Sequence, residues 1–244
     1  KAVVLFVDTF NDTFESENAL AAAQVLRAAG YTLHHVAKDG GHHCCGRTYL
    51  AGGMVNAAKA RLGVLIDALL PLAQGGVAIV GLEPSCLLTL RDEALVLGLG
   101  EKARTVAQQA LLFEEFVARE ARAGRFTAQF KPAEQPILVH GHCHQKAFDA
   151  VGPMLEVLRL VPGAKPALIE SSCCGMAGSF GYEAAHHAVS MQMAELALLP
   201  AVRAAPDALV VADGTSCRQQ IADGAGRPAL HVARVLVDHL ADPV

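Results

Sequence analysis

Seven cysteines carry most of the chemistry available to this 244-residue chain, at Cys44, Cys45, Cys86, Cys143, Cys173, Cys174 and Cys217. Adjacent cysteines make poor ordinary disulfides, because bridged Cα atoms usually lie about 4.4–6.8 Å apart while one trans peptide fixes about 3.8 Å. Seven is also an odd number, and too few for a secreted disulfide framework of this size. Gathered thiolates bind metal instead. Cys143, Cys173, Cys174 and Cys217 supply four sulfur donors, the number that an iron-sulfur cluster or a structural zinc takes. They are separated by 30 residues (Cys143 to Cys173) and 43 residues (Cys174 to Cys217), so only a fold can bring them together. Spacing leaves iron and zinc evenly matched. The plainer reading, buried thiols acting as small hydrophobes, fits poorly with His140-Gly141-His142-Cys143-His144-Gln145-Lys146 and Ser171-Ser172-Cys173-Cys174-Gly175, which are polar and rich in turn formers.

The first half offers a thinner set. Cys44, Cys45 and Cys86 have only Asp8-Thr9-Phe10 where an opening ligand should follow the first strand, so metal-free packing competes more strongly there. Five of the 11 histidines, His42, His43, His140, His142 and His144, flank cysteines. Imidazole titrates near neutral pH and binds zinc or iron, although most histidines simply face solvent or a hydrogen-bond partner. Arg47 and Arg218 each follow a cysteine motif and can offset thiolate charge or grip a carboxylate; a solvated arginine is the equal alternative.

These residues must be positioned by a repeated unit. Cys44-Cys45-Gly46 and Cys173-Cys174-Gly175 are offset by 129 residues, and Pro84-Ser85-Cys86 and Thr215-Ser216-Cys217 by 131. Two independent landmarks thus agree, and so long a period implies two similar domains rather than a solenoid. Strand and helix patterns alternate: strand 2–7, helix 15–29 stopped by Gly30, strand 31–36, helix 55–72, strand 77–80, then strand 137–139, helix 145–160, strand 167–169, helix 182–198 and strand 208–211. The expected fold is α/β, an internally duplicated pair of three-layer domains with parallel sheets related by an approximate two-fold. Residues 1–100 form the first domain, 101–134 a bridging helix and linker, and 135–244 the second. In such sheets ligands collect beyond the carboxyl ends of the strands, where every cysteine falls and where helix N-termini favour thiolates.

Composition bounds the function. Hydrophobic residues make up 52% and charged residues 18%, which is globular and aliphatic. A net charge of −4 argues against nucleic-acid partners. No apolar run is long enough to span a bilayer and no leader peptide opens the chain, so the expected location is cytoplasmic, at most peripheral to the inner membrane through partners. The abrupt start at Lys1-Ala2-Val3-Val4 suggests a piece of a longer protein.

The motifs His43-Cys44-Cys45-Gly46-Arg47-Thr48, Gly81-Leu82-Glu83-Pro84-Ser85-Cys86, His140 through Ala147, Ser172-Cys173-Cys174-Gly175-Met176-Ala177-Gly178 and Asp213-Gly214-Thr215-Ser216-Cys217 resemble the cysteine-rich CCG domain pair. That pair occurs in heterodisulfide reductase, in the iron-sulfur subunits of glycolate oxidase and anaerobic glycerol-3-phosphate dehydrogenase, and at the C-terminus of FAD-linked D-2-hydroxy-acid dehydrogenases, which it resembles most. The resemblance implies that Cys143, Cys173, Cys174 and Cys217 hold an iron-sulfur cluster, with Gly214 where the family has a further cysteine. In the first half Cys44, Cys45 and Cys86 match, the opening cysteine is absent and Glu83 stands at the penultimate position. Neither half can therefore reproduce the five-cysteine noncubane centre of heterodisulfide reductase. The second can hold an ordinary [4Fe-4S] cluster, and the first can complete a zinc or iron site with Glu83 or His43; His142 is a further candidate ligand.

The function so implied is the iron-sulfur electron-transfer region of an FAD-dependent oxidoreductase for lactate, glycolate or 2-hydroxyglutarate. Its partners would be FAD-binding and ferredoxin-like domains of the same protein or complex, and an electron acceptor. The chain has no G-x-G-x-x-G flavin fingerprint, so FAD belongs to those partners and the piece alone should not oxidise a hydroxy acid. Two alternatives stand beside this: a zinc-bound or metal-free docking module, favoured by the eroded motifs, and a thiol/disulfide module of heterodisulfide-reductase type.

Overall fold

The apolar run that opens the chain becomes an inner strand of a parallel sheet in the computed structural model of the protein, which describes residues 1–37 and 42–241. The chain divides into two units, Lys1–Ala128 and Gln129–Ala241. Unit 1 runs β1 (Ala2–Phe6), α1 (Thr9–Thr13), α2 (Ser16–Ala28), β2 (Thr32–His34), α3 (Arg47–Ala51), α4 (Val55–Gln74), β3 (Ala78–Gly81), α5 (Pro84–Arg91), α6 (Glu93–Val96), α7 (Glu101–Gln109), β4 (Ala110–Leu112) and α8 (Phe113–Arg122). Its sheet has the order β2-β1-β3-β4, with all neighbours parallel. β3 is buried throughout and β1 from Val3 onward, the state in which strands read as unbroken apolar runs.

Helices are placed by their apolar stripes. α4 buries Ala58, Leu62, Leu65, Ile66, Leu69 and Ala73, the three- and four-residue spacing of one helix face. Each fully buried leucine in that stripe is worth roughly 1.5–3 kcal/mol relative to exposure. α2 stops where expected: Gly30 adopts φ +82°, and Tyr31 N–H returns to the Leu26 carbonyl at 3.0 Å.

Unit 2 repeats the plan with β5 (Ile137–His140), α9 (Cys143–Ala147), α10 (Val151–Leu158), β6 (Pro166–Leu168), a 3₁₀ turn (Phe180–Tyr182), α11 (His187–Glu195), α12 (Leu198–Ala204), β7 (Leu209–Ala212), α13 (Thr215–Ala225) and α14 (Val232–Asp238). Its parallel sheet has the order β6-β5-β7, matching β2-β1-β3 of unit 1. The register matches as well. Phe6 pairs with Gly81 in unit 1, and His140 pairs with Ala212 in unit 2. Internal duplication of a small parallel sheet flanked by helices is therefore the architecture.

Three local expectations are corrected. The stretch 101–122, expected to be helical throughout, is interrupted by β4, which pairs with β3 (Ile79 opposite Ala110); a short apolar run within helical composition does not declare itself as strand. The single helix expected over 145–160 is α9 and α10, parted around Asp149 at φ +54°. Pro153, in the first turn of α10, has no N–H for the Asp149 carbonyl, so a continuous helix would lose that bond. Pro200 has the same effect between α11 and α12, within the expected helix 182–198 and just beyond it. Residues 242–244 of the expected second domain lie outside the described residues.

Candidate metal centre

The loops leaving β5, β6 and β7 carry the second-unit cysteines. Cys143 opens α9 and is exposed, Cys173 is half-buried, and Cys174 and Cys217 are buried, Cys217 in the first turn of α13. Their side chains are linked in one string, Cys143 to Cys173, Cys173 to Cys174 and Cys174 to Cys217. The structure thus gathers all four thiols despite their separation in sequence.

Proton affinities alternate along that string. Cys143 is pushed up by its hydrogen bond to Cys173 and by burial, whereas hydrogen bonds from Cys143 and Cys174 hold Cys173 far below the usual thiol range. Cys174 is pushed up by hydrogen bonds to Cys173 and Cys217 and by burial. The hydrogen bond from Cys174 lowers Cys217 against the cost of burial, helped by the charges of His142 and His140 and a hydrogen bond from His140. Lys146 adds a cation: its ammonium donates to the carbonyls of Ser171 and, at 2.9 Å, Ser172. Burial pushes its pKa down, and the surrounding charges of Cys217, Cys143, Cys173 and Cys174 push it back.

Backbone geometry builds the site. Gly175 adopts φ +95° and its N–H donates to Cys173 Sγ at 3.3 Å; a Cβ there would overlap the Ser190 carbonyl oxygen. Gly46 does the same beside Cys44 in unit 1, with φ +81°, an N–H donating to Sγ at 3.3 Å, and room for no Cβ because Ala58 O would be 2.8 Å away. His142 caps α9: its Nδ1 accepts from His144 N–H at 3.1 Å, while Gln145 Oε1 accepts from His142 N–H at 2.8 Å. Gln145 then donates to Asp213 Oδ2 at 3.2 Å, and Asp213 Oδ1 accepts from Val232 N–H at 2.9 Å. This buried chain ties α9, the loop after β7 and α14 together beneath the thiols. A Cβ at Gly214 would overlap the His142 ring, so the imidazole occupies the space beside the position where the family pattern has a cysteine.

Two groupings place ligand atoms within 4.8 Å of one another among the described residues, and each can hold a metal ion: His140 with Cys174 and Cys217, and His142 with Cys143 and His144. Both lie in unit 2. In unit 1 the sulfurs are again linked, Cys44 to Cys45 and Cys45 to Cys86, with Thr9 hydrogen-bonded to Cys44 as Cys143 is to Cys173. Asp8 caps α1 as His142 caps α9. Burial first, then the Glu83 charge, pushes Asp8 up to about 6 against hydrogen bonds from Asn11 and Phe10. The hydrogen bond from Cys45 lowers Cys86, but burial and the charges of Asp8 and Glu83 outweigh it and push the thiol up to about 12. Glu83 and His43 are both buried beside this string, yet neither joins a three-donor grouping; Glu83 Oε1 accepts from Ser85 N–H at 3.2 Å and Ser85 Oγ–H at 2.7 Å as the cap of α5. Arg47 is paired with Glu93, and Arg218 donates to Ala212 O and Thr215 Oγ1, so both arginines have protein partners.

The model of the CCG family, described as a cysteine-rich domain, matches residues 7–91 and again residues 137–222. The chain belongs to the CCG family. Among curated proteins it is similar to one subunit of the anaerobic glycerol-3-phosphate dehydrogenase of Escherichia coli (strain K12), 26% identical over 220 residues, 89% of this chain and 54% of that protein. It is also similar to the D-2-hydroxyglutarate dehydrogenases of Escherichia coli (strain K12), 29% identical over 175 residues, and Pantoea ananatis (strain AJ13355), 27% over 175; each match covers 70% of this chain and 16% of the relative. The chain spans about half the length of the first relative and a far smaller share of the other two.

The two CCG matches coincide with the duplicated sheets and their loops. The donor set of the second CCG unit, four convergent thiols with a buried imidazole beside them, suits a thiolate-bound metal. Sequence reasoning placed those thiols together but gave no part to Asp213 and Gln145. The signal was there: His142 followed three residues on by Gln145 is a capping-box spacing with histidine in place of serine or threonine.

Proposed function

We propose that this chain is the electron-transfer region of a larger FAD-linked 2-hydroxy-acid oxidoreductase, with an iron-sulfur centre, [4Fe-4S] in type, held by Cys143, Cys173, Cys174 and Cys217. The observation that carries the reading is the convergence of these four thiols from three loops of one sheet. Similarity to part of one dehydrogenase complex and to segments of two further dehydrogenases supports it. When bound, such a centre accepts and releases electrons singly, which is what a two-electron flavin donor needs downstream.

The residues of the chain prepare the site. Cys173 and Cys217 already favour thiolate, so binding must displace protons chiefly from Cys143 and Cys174. Lys146 offsets the accumulated negative charge, and burial of Cys174 and Cys217 keeps water from the inner side. FAD, the hydroxy acid and the terminal acceptor belong to partner domains. In unit 1 Cys44, Cys45 and Cys86, completed by Glu83 or His43, suit zinc or a single iron better than a cluster, because the donor set mixes sulfur with oxygen or nitrogen. No helix among the described residues is long and apolar enough to cross a membrane, and partner contacts in the cytoplasm are part of the same reading.

Iron, zinc and acid-labile sulfide analysis of anaerobically purified chain tests the proposal. Stoichiometric iron and sulfide with a brown colour are expected, together with their loss in Cys174→Ser. A colourless protein holding tight zinc and no sulfide would replace this reading with the docking-module one.

A further inference from the structure

Resting on the reading of unit 2 as a thiolate metal centre, but replacing its all-cysteine ligand set by a mixed one, we infer that His140 Nε2 is a nitrogen ligand of that centre, so that its metal is held by imidazole together with thiolates that include Cys174 and Cys217. His140 ends β5 and is fully buried. Its Nδ1 lies 2.9 Å from Ser171 Oγ. The Ser171 hydroxyl proton points to the Ile169 carbonyl at 3.4 Å, and the Lys146 ammonium, which has only protons to offer, approaches the same Oγ at 3.5 Å. Ser171 therefore presents a lone pair to the imidazole, and Nδ1 carries the proton. In the neutral ring this leaves Nε2 as a bare lone pair. That nitrogen is buried and reaches no oxygen or nitrogen partner; it faces the Cys217 sulfur, and a lone pair set against a thiolate needs a proton or a metal ion between them. A metal beside Cys174 and Cys217, whose ligand atoms lie within 4.8 Å of that of His140, satisfies it.

Two further features point the same way. Metal-binding histidines almost always donate their second N–H to a fixed acceptor, and the relay from Nδ1 through Ser171 to Ile169 O is such a support. The equivalent residue of β1 in unit 1 is Phe6, in the same register at the strand end and equally buried. The fold thus accepts an apolar ring at this position, and packing alone does not call for imidazole in unit 2.

Cobalt(II), added anaerobically to the metal-free 244-residue chain, is a probe that enters a thiolate site whether its usual occupant is iron-sulfur or zinc. Sulfur-to-cobalt charge-transfer absorbance reports the thiolates, and X-ray absorption at the cobalt edge counts nitrogen against sulfur neighbours. In wild type both sulfur and a short metal–nitrogen shell are expected. His140→Ala should lose the nitrogen contribution and bind cobalt at least about tenfold more weakly, His140→Cys should recover affinity with sulfur alone, and Ser171→Ala should keep the nitrogen while losing about tenfold in affinity. Far-UV circular dichroism establishes that each variant is folded. Unchanged first shell and affinity in both His140 variants would overturn the inference while leaving the thiolate centre standing, as would a purely sulfur shell in wild type. Absence of charge-transfer absorbance in wild type would remove the centre and this inference together.

Discussion

Restoring the cysteine that the second unit lacks should be costly, and one neighbouring ring should account for the cost. Gly214 has φ −79° and ψ 129°, which any residue adopts, so Gly214→Cys meets no backbone strain. The obstacle is His142, whose Cδ2 a Cβ would overlap and whose Cγ and Nε2 would stand 3.2 Å away. His142 is buried and its Nδ1 caps α9, so it cannot swing aside without releasing that cap. Overpacking of this kind costs roughly 1–3 kcal/mol. His142→Ala alone forfeits the cap, about 1 kcal/mol. In the double variant the collision is gone, so its total should be close to that of His142→Ala. The coupling should be about −1 to −3 kcal/mol, well outside the roughly 0.5 kcal/mol scatter of independent sites. Urea unfolding of the reduced, metal-free chain, followed through the transition that His142→Ala shifts, measures all four corners of the cycle. Additive losses, or a Gly214→Cys variant as stable as wild type, would refute the claim that imidazole has replaced sulfur here for reasons of space.

Two further perturbations test the electrostatics of unit 1. Hydrogen bonds from Arg125 at 2.7 and 2.8 Å, and from Tyr31 at 2.8 Å, lower Glu120 from its ordinary 4.5 to about 2 against the effect of burial. Such a carboxylate stabilises fully above its unfolded pKa and loses the contribution as pH falls through its folded one. The shift sets a ceiling of about 3 kcal/mol, which half-exposed arginines reduce to about 1–2; the stability deficit of Glu120→Gln should have that size at pH 7 and shrink toward pH 2, and a deficit independent of pH contradicts the assignment. Asp8 has the opposite sign, because its raised pKa makes the folded state hold the proton more tightly, and the penalty for ionising it grows from pH 3.8 to about 6. Relative to wild type, metal-free Asp8→Asn should gain about 2–3 kcal/mol between pH 4 and pH 8; parallel urea midpoints across that range would contradict it.

The elements that could be read from sequence were those with one dominant cause. Strands β1 and β3 are unbroken apolar runs because parallel sheets bury both faces, and the glycine of each Cys-Cys-Gly motif marks a left-handed turn against a neighbouring backbone. The repeat of cysteine motifs was enough to identify β5 as the counterpart of β1 and to bring the thiols of each half together. What stayed hidden depended on partners distant in the chain. β4 is three residues of ordinary aliphatic composition made a strand by its pairing with β3. His140 was only one imidazole of five beside cysteines; it is distinguished by Ser171, 31 residues on, whose hydroxyl engages Nδ1 and leaves Nε2 as the nitrogen available to the sulfurs. Glu83 was marked by its place in a motif; the sequence did not show that its Oε1 accepts from the serine two residues later as the cap of α5.

The duplication also compares two chemistries on one backbone plan. Cys44, Cys45 and Cys86 correspond to Cys173, Cys174 and Cys217, while Phe6, Asp8, Thr9 and Glu83 of unit 1 stand where unit 2 has His140, His142, Cys143 and Gly214. The exchange replaces imidazole and thiol by carboxylate, hydroxyl and an apolar ring. Its electrostatic consequence is direct. The charges of Asp8 and Glu83 raise the proton affinity of the buried Cys86 thiol, and that of Glu83 raises Asp8 in turn, so unit 1 retains protons until a cation supplies compensating charge. In unit 2 imidazoles and Lys146 surround the sulfurs, and Cys173 and Cys217 favour thiolate without such help. Equal sulfur scaffolds therefore differ in the charge they tolerate: the surroundings of unit 2 favour the anionic thiolate form of Cys173 and Cys217, and those of unit 1 favour the protonated thiols.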